Sequence, residues 1–195
     1  MARTKAFDKD EVLNKAMDLF WEKGFHATSI QDLVDHLGIN RASMYDTFGG
    51  KDQLFMQSLQ LYLQKNKANI QEIRHILRGK STKALLSEYL YKSVSKEKLF
   101  HQKGCFAANT TSELSRENDK ICSVLTNNME ENIQYFEIII RIGQEREEID
   151  KNKDARHLAR HLFVFLNGLN IVSKLKLKES LFTLVDAQLD FLFKK

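Results

Sequence analysis

The sequence predicts an all-α fold: a three-helix N-terminal module containing a helix-turn-helix, followed by six further helices. Three observations predict it. The 195 residues include no proline, the residue that most often breaks helix interiors and marks turns and sheet edges. Apolar residues recur at helical spacing along nearly the whole chain, and no strand-like alternation stands out. Two short helices joined by a three-residue turn with a glycine fall close together near the N-terminus, which is the helix-turn-helix arrangement. At 43% hydrophobic and 29% charged residues, the composition is that of a globular chain rather than a disordered one.

The first helix is expected over residues 8–23, with Leu13, Ala16, Met17 and Phe20 on one face. Asp8 can cap it, Glu11 follows at capping-box spacing, and Gly24 ends it. The second spans residues 28–37, where Ile30, Leu33, Val34 and Leu37 stand at i, i+3, i+4 and i+7, the pattern of one buried stripe. Gly38 stops that helix, Ile39 is an apolar plug, and Asn40 is a good N-cap for a third helix over residues 41–48. Gly49-Gly50 then interrupts the chain. A long helix is expected over 52–77, carrying Leu54, Phe55, Leu59, Ile70 and Ile73, and another over 82–94. Residues 95–102 are polar and read as a loop, with a short helix after Gly104 reaching Leu114. The clearest periodicity lies in 119–146, where Ile121, Leu125, Met129, Ile133, Phe136 and Ile140 are spaced three or four apart. Two last helices, 154–175 and 178–193, carry wide apolar faces.

A helix-turn-helix offers the N-terminal residues of its second helix to the major groove. Those are Arg41, Ala42 and Ser43. Arginine can bond guanine O6 and N7 together, serine can donate or accept, and an alanine methyl can meet a thymine methyl. Tyr45, Thr47 and Lys51 supply hydroxyls and a cation suited to phosphate oxygens, contacts that set register rather than sequence. The start of the preceding helix, at Thr28 and Ser29, offers N–H groups for another phosphate. Bulk charge does not carry this reading. The net charge is +4, yet residues 1–60 hold seven Lys and Arg against nine Asp and Glu, a net of −2. Met44 and Phe48 read as core residues seating the third helix, and Tyr45 as either core or phosphate-facing.

The strings Gly24-Phe25-His26-Ala27-Thr28-Ser29-Ile30, Gly38-Ile39-Asn40-Arg41-Ala42-Ser43-Met44-Tyr45 and Phe48-Gly49-Gly50-Lys51-Asp52-Gln53-Leu54-Phe55 resemble the DNA-binding domain of the tetracycline-repressor (TetR) family. The likeness is dense over residues 8–55; beyond them only length and helix layout match. It implies a DNA-binding domain over residues 1–51 and a ligand-binding and dimerisation domain over 52–195. It also implies a homodimer held by the last two helices on a palindromic double-stranded operator, and a repressor released by a small molecule. By position, Arg41, Ala42 and Ser43 fall at base-contacting places, and Tyr45, Thr47 and Lys51 at phosphate-contacting ones. Thr47, where many members have histidine, and the acidic Asp46 depart from the pattern.

The surplus apolar surface of the last two helices argues separately for a partner. Leu158, Leu162, Phe165, Gly168, Leu169, Leu181, Val185 and Leu189 are the expected dimer contacts. Gly168 is costly inside a helix, and close approach of another helix would offset that. Tyr89, Phe100, Cys105, Phe106, Met129, Phe136 and Phe163 can line a cavity for an apolar or aromatic inducer or serve as plain core. Cys105 reads two ways. It follows His101 and Lys103 near a helix start, which favours thiolate and would suit a thiol sensor of electrophiles or oxidants; it can equally be an inert helix-start cysteine. His157 and His161 share a helix face at a metal-compatible spacing, but nothing completes a ligand set and a solvated face accounts for them. No orienting group, oxyanion motif or phosphate loop accompanies Cys105 and His101, so neither enzymatic activity nor a cofactor is expected. Two cysteines, no secretory signal and no apolar run of about 18 residues point to a cytoplasmic chain without a membrane segment.

Overall fold

The computed structural model describes residues 7–76, 79–94, 103–175 and 180–193. Nine helices lie among them: α1 (Lys9–Lys23), α2 (Ile30–Leu37), α3 (Arg41–Phe48), α4 (Lys51–Ile76), α5 (Thr82–Val94), α6 (Phe106–Leu114), α7 (Asp119–Glu145), α8 (Ala155–Val172) and α9 (Leu181–Leu192). Several of their starts are set by side chains that accept the N–H groups a first turn leaves without helical partners. The Asp8 carboxylate accepts from Asp10 and Glu11, Ser29 Oγ from Asp32, Asn40 Oδ1 from Ser43, and Asp154 from His157. The expected loop at 95–102, with Phe100 in it, lies outside the described residues. Beyond helices, the described residues show one isolated antiparallel bridge, Ile149 to Phe193.

The chain forms two compact units. The first comprises the described residues up to Ala68 together with Asn109–Cys122. Phe20 of α1, Leu33 of α2, Met44 of α3 and Leu54, Phe55 and Leu59 of α4 are sealed inside it. Aromatic edges meet faces there: Phe20 on Phe55 at 5.0 Å between centroids, Phe25 on Phe55 at 5.1 Å, and Trp21 on Tyr62 at 5.0 Å, contacts that add to simple area burial. The unit runs past residue 51, because α4 is continuous and its first turns complete this core.

The second unit comprises the described residues within Asn69–Ala108 and Ser123–Lys195. Its core joins Leu85, Leu86 and Leu90 of α5, Phe136, Ile139 and Ile140 of α7, Ala159, Leu162 and Leu169 of α8, and Val185, Leu189 and Leu192 of α9. Outside it, Arg156 of α8 bonds Glu130 and Glu137 of α7, and Arg141 bonds Glu137. Arg156 holds the Glu130 carboxyl, and Arg141 with Arg156 the Glu137 carboxyl, below the usual carboxylate range.

Two sets of expected positions need correcting here. Leu162, Leu169, Val185 and Leu189 are buried in the core of their own chain, so they are not free to meet a partner. Leu158, Phe165 and Leu181 pack partly buried against the same core, while Gly168 is exposed with open space beyond its Cα. The large apolar side chains left exposed on these helices are Val164, Ile171, Phe182, Leu184 and Phe191, with Leu175 just past α8. Met129 is also exposed, at 39%, because its face of α7 turns away from the core. Phe106 and Phe136 are buried, and Tyr89 and Phe163 are partly buried against the core. Burial raises the Tyr89 phenol above its ordinary value, with Tyr135 and Cys105 adding to the effect. No helix among the described residues is long and apolar enough to cross a membrane.

Candidate nucleic-acid interface

The candidate surface of the first unit is built on α2 and α3. Ser29 and Asp32 form a full capping box. Asp32 N–H donates to Ser29 Oγ at 3.0 Å, and Ser29 N–H donates back to Asp32 Oδ2 at 2.9 Å. Lys23, at the end of α1, reaches the same carboxylate at 2.7 Å. Lys23 and Ser29 together hold the Asp32 carboxyl far below the usual carboxylate range. The cap therefore stays anionic and ties the end of α1 to the start of α2. Asp32 thus serves the cap and the ion pair together.

Gly38, in the left-handed conformation, ends α2, and Asn40 begins α3. Leu37, Ile39, Met44 and Phe48 are buried, so α3 is held by one side alone, as expected for Met44 and Phe48. Its opposite side leads with Arg41 and Ala42, both exposed, and Ser43, half-buried. Tyr45 follows one turn on and is 43% exposed, which places its ring at the surface rather than in the core. The Arg41 guanidinium lies 5.8 Å from that ring centre, close enough for a cation–π contact. Asp46 is exposed.

Gly49 and Gly50 end α3 with φ of 86° and 114°. A Cβ built on Gly50 would stand 3.2 Å from Tyr45 Cε1, so the missing side chain leaves room for the tyrosine. Lys51 opens α4 with its ammonium 4.3 Å above the Phe25 ring. Its stem is thereby directed, and the charge remains at the head of the helix.

Two expected contacts are not presented. Thr28 is fully buried. Its hydroxyl donates to Gly24 O at 2.6 Å and its N–H to Phe25 O at 3.2 Å, so both donors close the turn between α1 and α2. Thr47 Oγ1 is shielded from solvent and has no hydrogen-bond partner, because it faces inward beside the buried row of α3. Ser29, Arg41, Ala42, Ser43, Tyr45 and Lys51 remain. They combine a cation for a base edge, a methyl, hydroxyls and a second cation, a set that suits groove and phosphate together.

Sequence reasoning missed one group in this unit. Glu113 of α6 accepts from the backbone N–H groups of Phe25 and His26. No local pattern signals a contact between residues 88 and 87 positions apart. In the second unit, His157 pairs with Asp154 and His161 lies against Gln188 and Phe191. Among the described residues no group of three or more His, Cys, Asp or Glu could hold a metal ion.

A family model described as bacterial regulatory proteins, tetR family, matches residues 12–57. A second, described as the tetracyclin repressor-like C-terminal domain, matches residues 83–187. The HTH-type transcriptional repressor ComR of Escherichia coli is 32% identical over 179 residues, spanning 88% of this chain and 82% of ComR. The uncharacterized HTH-type transcriptional regulator YezE of Bacillus subtilis is 46% identical over 72 residues, 37% of each chain. Among solved structures, a cysteine-substituted TetR family transcriptional regulator CifR, complexed with 26bp double-strand operator DNA, aligns with a TM-score of 0.83. It is 26% identical, and the alignment covers 98% of this chain and 100% of that one.

Proposed function

The chain belongs to the TetR family of bacterial regulatory proteins, and on that premise we propose how this sequence-specific DNA-binding repressor reads its operator. The protein acts as a homodimer on double-stranded DNA and is a regulator, not an enzyme. In the proposed reading α3 enters the major groove with Arg41 on guanine O6 and N7, Ala42 against a thymine methyl and Ser43 on a neighbouring base edge. Tyr45, Lys51 and the N-terminal amides of α2 beside Ser29 hold phosphates. In this reading residues 1–51 carry the DNA-binding function and residues 52–195 the regulatory one, with the start of α4 and the Asn109–Cys122 segment packed into the compact unit that supports the reading helix. A small apolar or aromatic molecule, bound among Tyr89, Cys105, Phe106, Phe136 and Phe163, releases the operator. The protein works in the cytoplasm, where its DNA is.

One observation carries this reading: α3 is sealed by Met44 and Phe48 on one side and leads with exposed Arg41 and Ala42 on the other. A helix in that state can dock its free side without unfolding its own support. The comparisons favour this repressor reading over thiol sensing through Cys105. Selection of bound duplexes from a random DNA pool tests it. One palindromic sequence should enrich, and its affinity should fall steeply with salt, by about 0.9 in log–log slope per phosphate held. A pool that enriches no sequence would contradict the reading.

A further inference from the structure

Glu113 stands near the C-terminal end of α6, within the first compact unit. Its two carboxylate oxygens are used separately. Oε2 accepts from Phe25 N–H at 3.0 Å and Oε1 from His26 N–H at 2.7 Å. Such charge-assisted bonds are roughly twice as strong as neutral ones, and here two converge on consecutive amides of one turn. Gly24 makes the approach possible. With φ at 86°, a Cβ built there would lie 3.0 Å and 3.1 Å from the two oxygens. Glu117, a turn further along, adds a contact from Oε2 to His26 Nε2 at 3.1 Å.

The turn held in this way is the one from which the DNA-facing groups depart. On its inner side it is closed by Thr28, whose hydroxyl and N–H bond Gly24 O and Phe25 O. Ser29, the cap of α2, follows immediately. The Phe25 ring packs on Phe20 and Phe55 and carries the Lys51 ammonium above it. Moving the Phe25 amide would move that ring, and with it the platform that aims Lys51. A carboxylate brought by a distant part of the chain thus sets the pose of two proposed phosphate-contacting elements.

We propose that Glu113 is a positioning residue for operator recognition: by clamping the Phe25 and His26 amides it fixes the α1–α2 turn, and so aims Lys51 and the start of α2 at the phosphate backbone. This rests on the operator reading given above.

The test uses full-length protein and a duplex selected by the wild type from a random pool. Glu113→Ala removes both acceptors. Glu113→Gln keeps one and turns an amide N–H toward the other turn amide. Each variant should bind the selected duplex about ten-fold more weakly. The log–log salt slope should be shallower by about one phosphate contact per protomer, and affinity for random-sequence duplex should fall in parallel, because phosphate contacts carry no sequence information. A residue that only stabilises the fold would leave that slope untouched at a temperature where the variant is folded. Wild-type affinity and slope in both folded variants would overturn the proposal.

Amide hydrogen exchange on the wild type supplies a measurement that needs no variant. Phe25 and His26 should stay protected in the protein–DNA complex, and free exchange there would equally overturn the proposal. Arg41→Ala on the same duplex separates the two readings. If Arg41 matters and Glu113 does not, only this proposal fails; if no duplex is selected at all, the operator reading itself has failed.

Discussion

Gly50 shows how a single atom governs the proposed DNA-facing surface. Its φ of 114° is a conformation that L side chains rarely adopt, and a Cβ there would press on the Tyr45 ring at 3.2 Å. Gly50→Ala should therefore lower stability by about 1–3 kcal/mol and turn Tyr45 away from its surface position. Thermal unfolding should register the first effect, and weaker operator binding at a temperature where the protein is folded the second. Thr28 shows the reverse situation. Its type and place suggested a phosphate contact, yet its hydroxyl and N–H both bond within the turn. A short polar side chain beside a turn competes for backbone partners, and sequence spacing does not say which partner wins.

At the scale of helices, most of the fold was legible because its starts and stops are chemical. Asp8 and Asn40 cap α1 and α3 from positions that the sequence marks, while Ser29 and Asp154, read there within the first turns of their helices, are the caps of α2 and α8. Gly24, Gly38 and Gly49 follow α1, α2 and α3 directly. The leading residues of α3 could be read for the same reason: an Asn cap fixes where the helix begins, and Met44 and Phe48 fix which side is hidden. The phase of α8 and α9 was not legible. Both helices are apolar on more than one face, so periodicity cannot separate the side that fills the chain's own core from the side left exposed. Leu162, Leu169, Val185 and Leu189 turned out to be core, while Val164, Ile171, Leu184 and Phe191 are exposed. Glu113 was illegible for another reason. Its partners are backbone amides far away in sequence, and an acceptor for a backbone N–H imposes no residue type on the other side.

At the scale of the whole molecule, a homodimer matches a palindromic site by presenting two copies of α3. The exposed row Val164, Gly168, Ile171 on α8, continued by Leu175, is the apolar surface that should meet its counterpart. Gly168 lies open between its bulkier neighbours, where a partner helix can come close. Ile171→Glu should weaken dimerisation by at least about thirty-fold while leaving the monomer folded, and sedimentation at graded concentrations checks this. Cavity-forming changes at Leu162 or Leu169 should instead cost about 2–5 kcal/mol of stability. The central claim, that Arg41 reads a base in the major groove, is tested most directly by a double-mutant cycle of operator affinity. It pairs Arg41→Ala with a duplex in which carbon replaces N7 of one guanine in the selected site. For the guanine that Arg41 reads, each change alone should cost about 1–3 kcal/mol, and the two together little more than one. Fully additive costs at every guanine, or an Arg41→Ala protein that binds the site as tightly as the wild type, would contradict it.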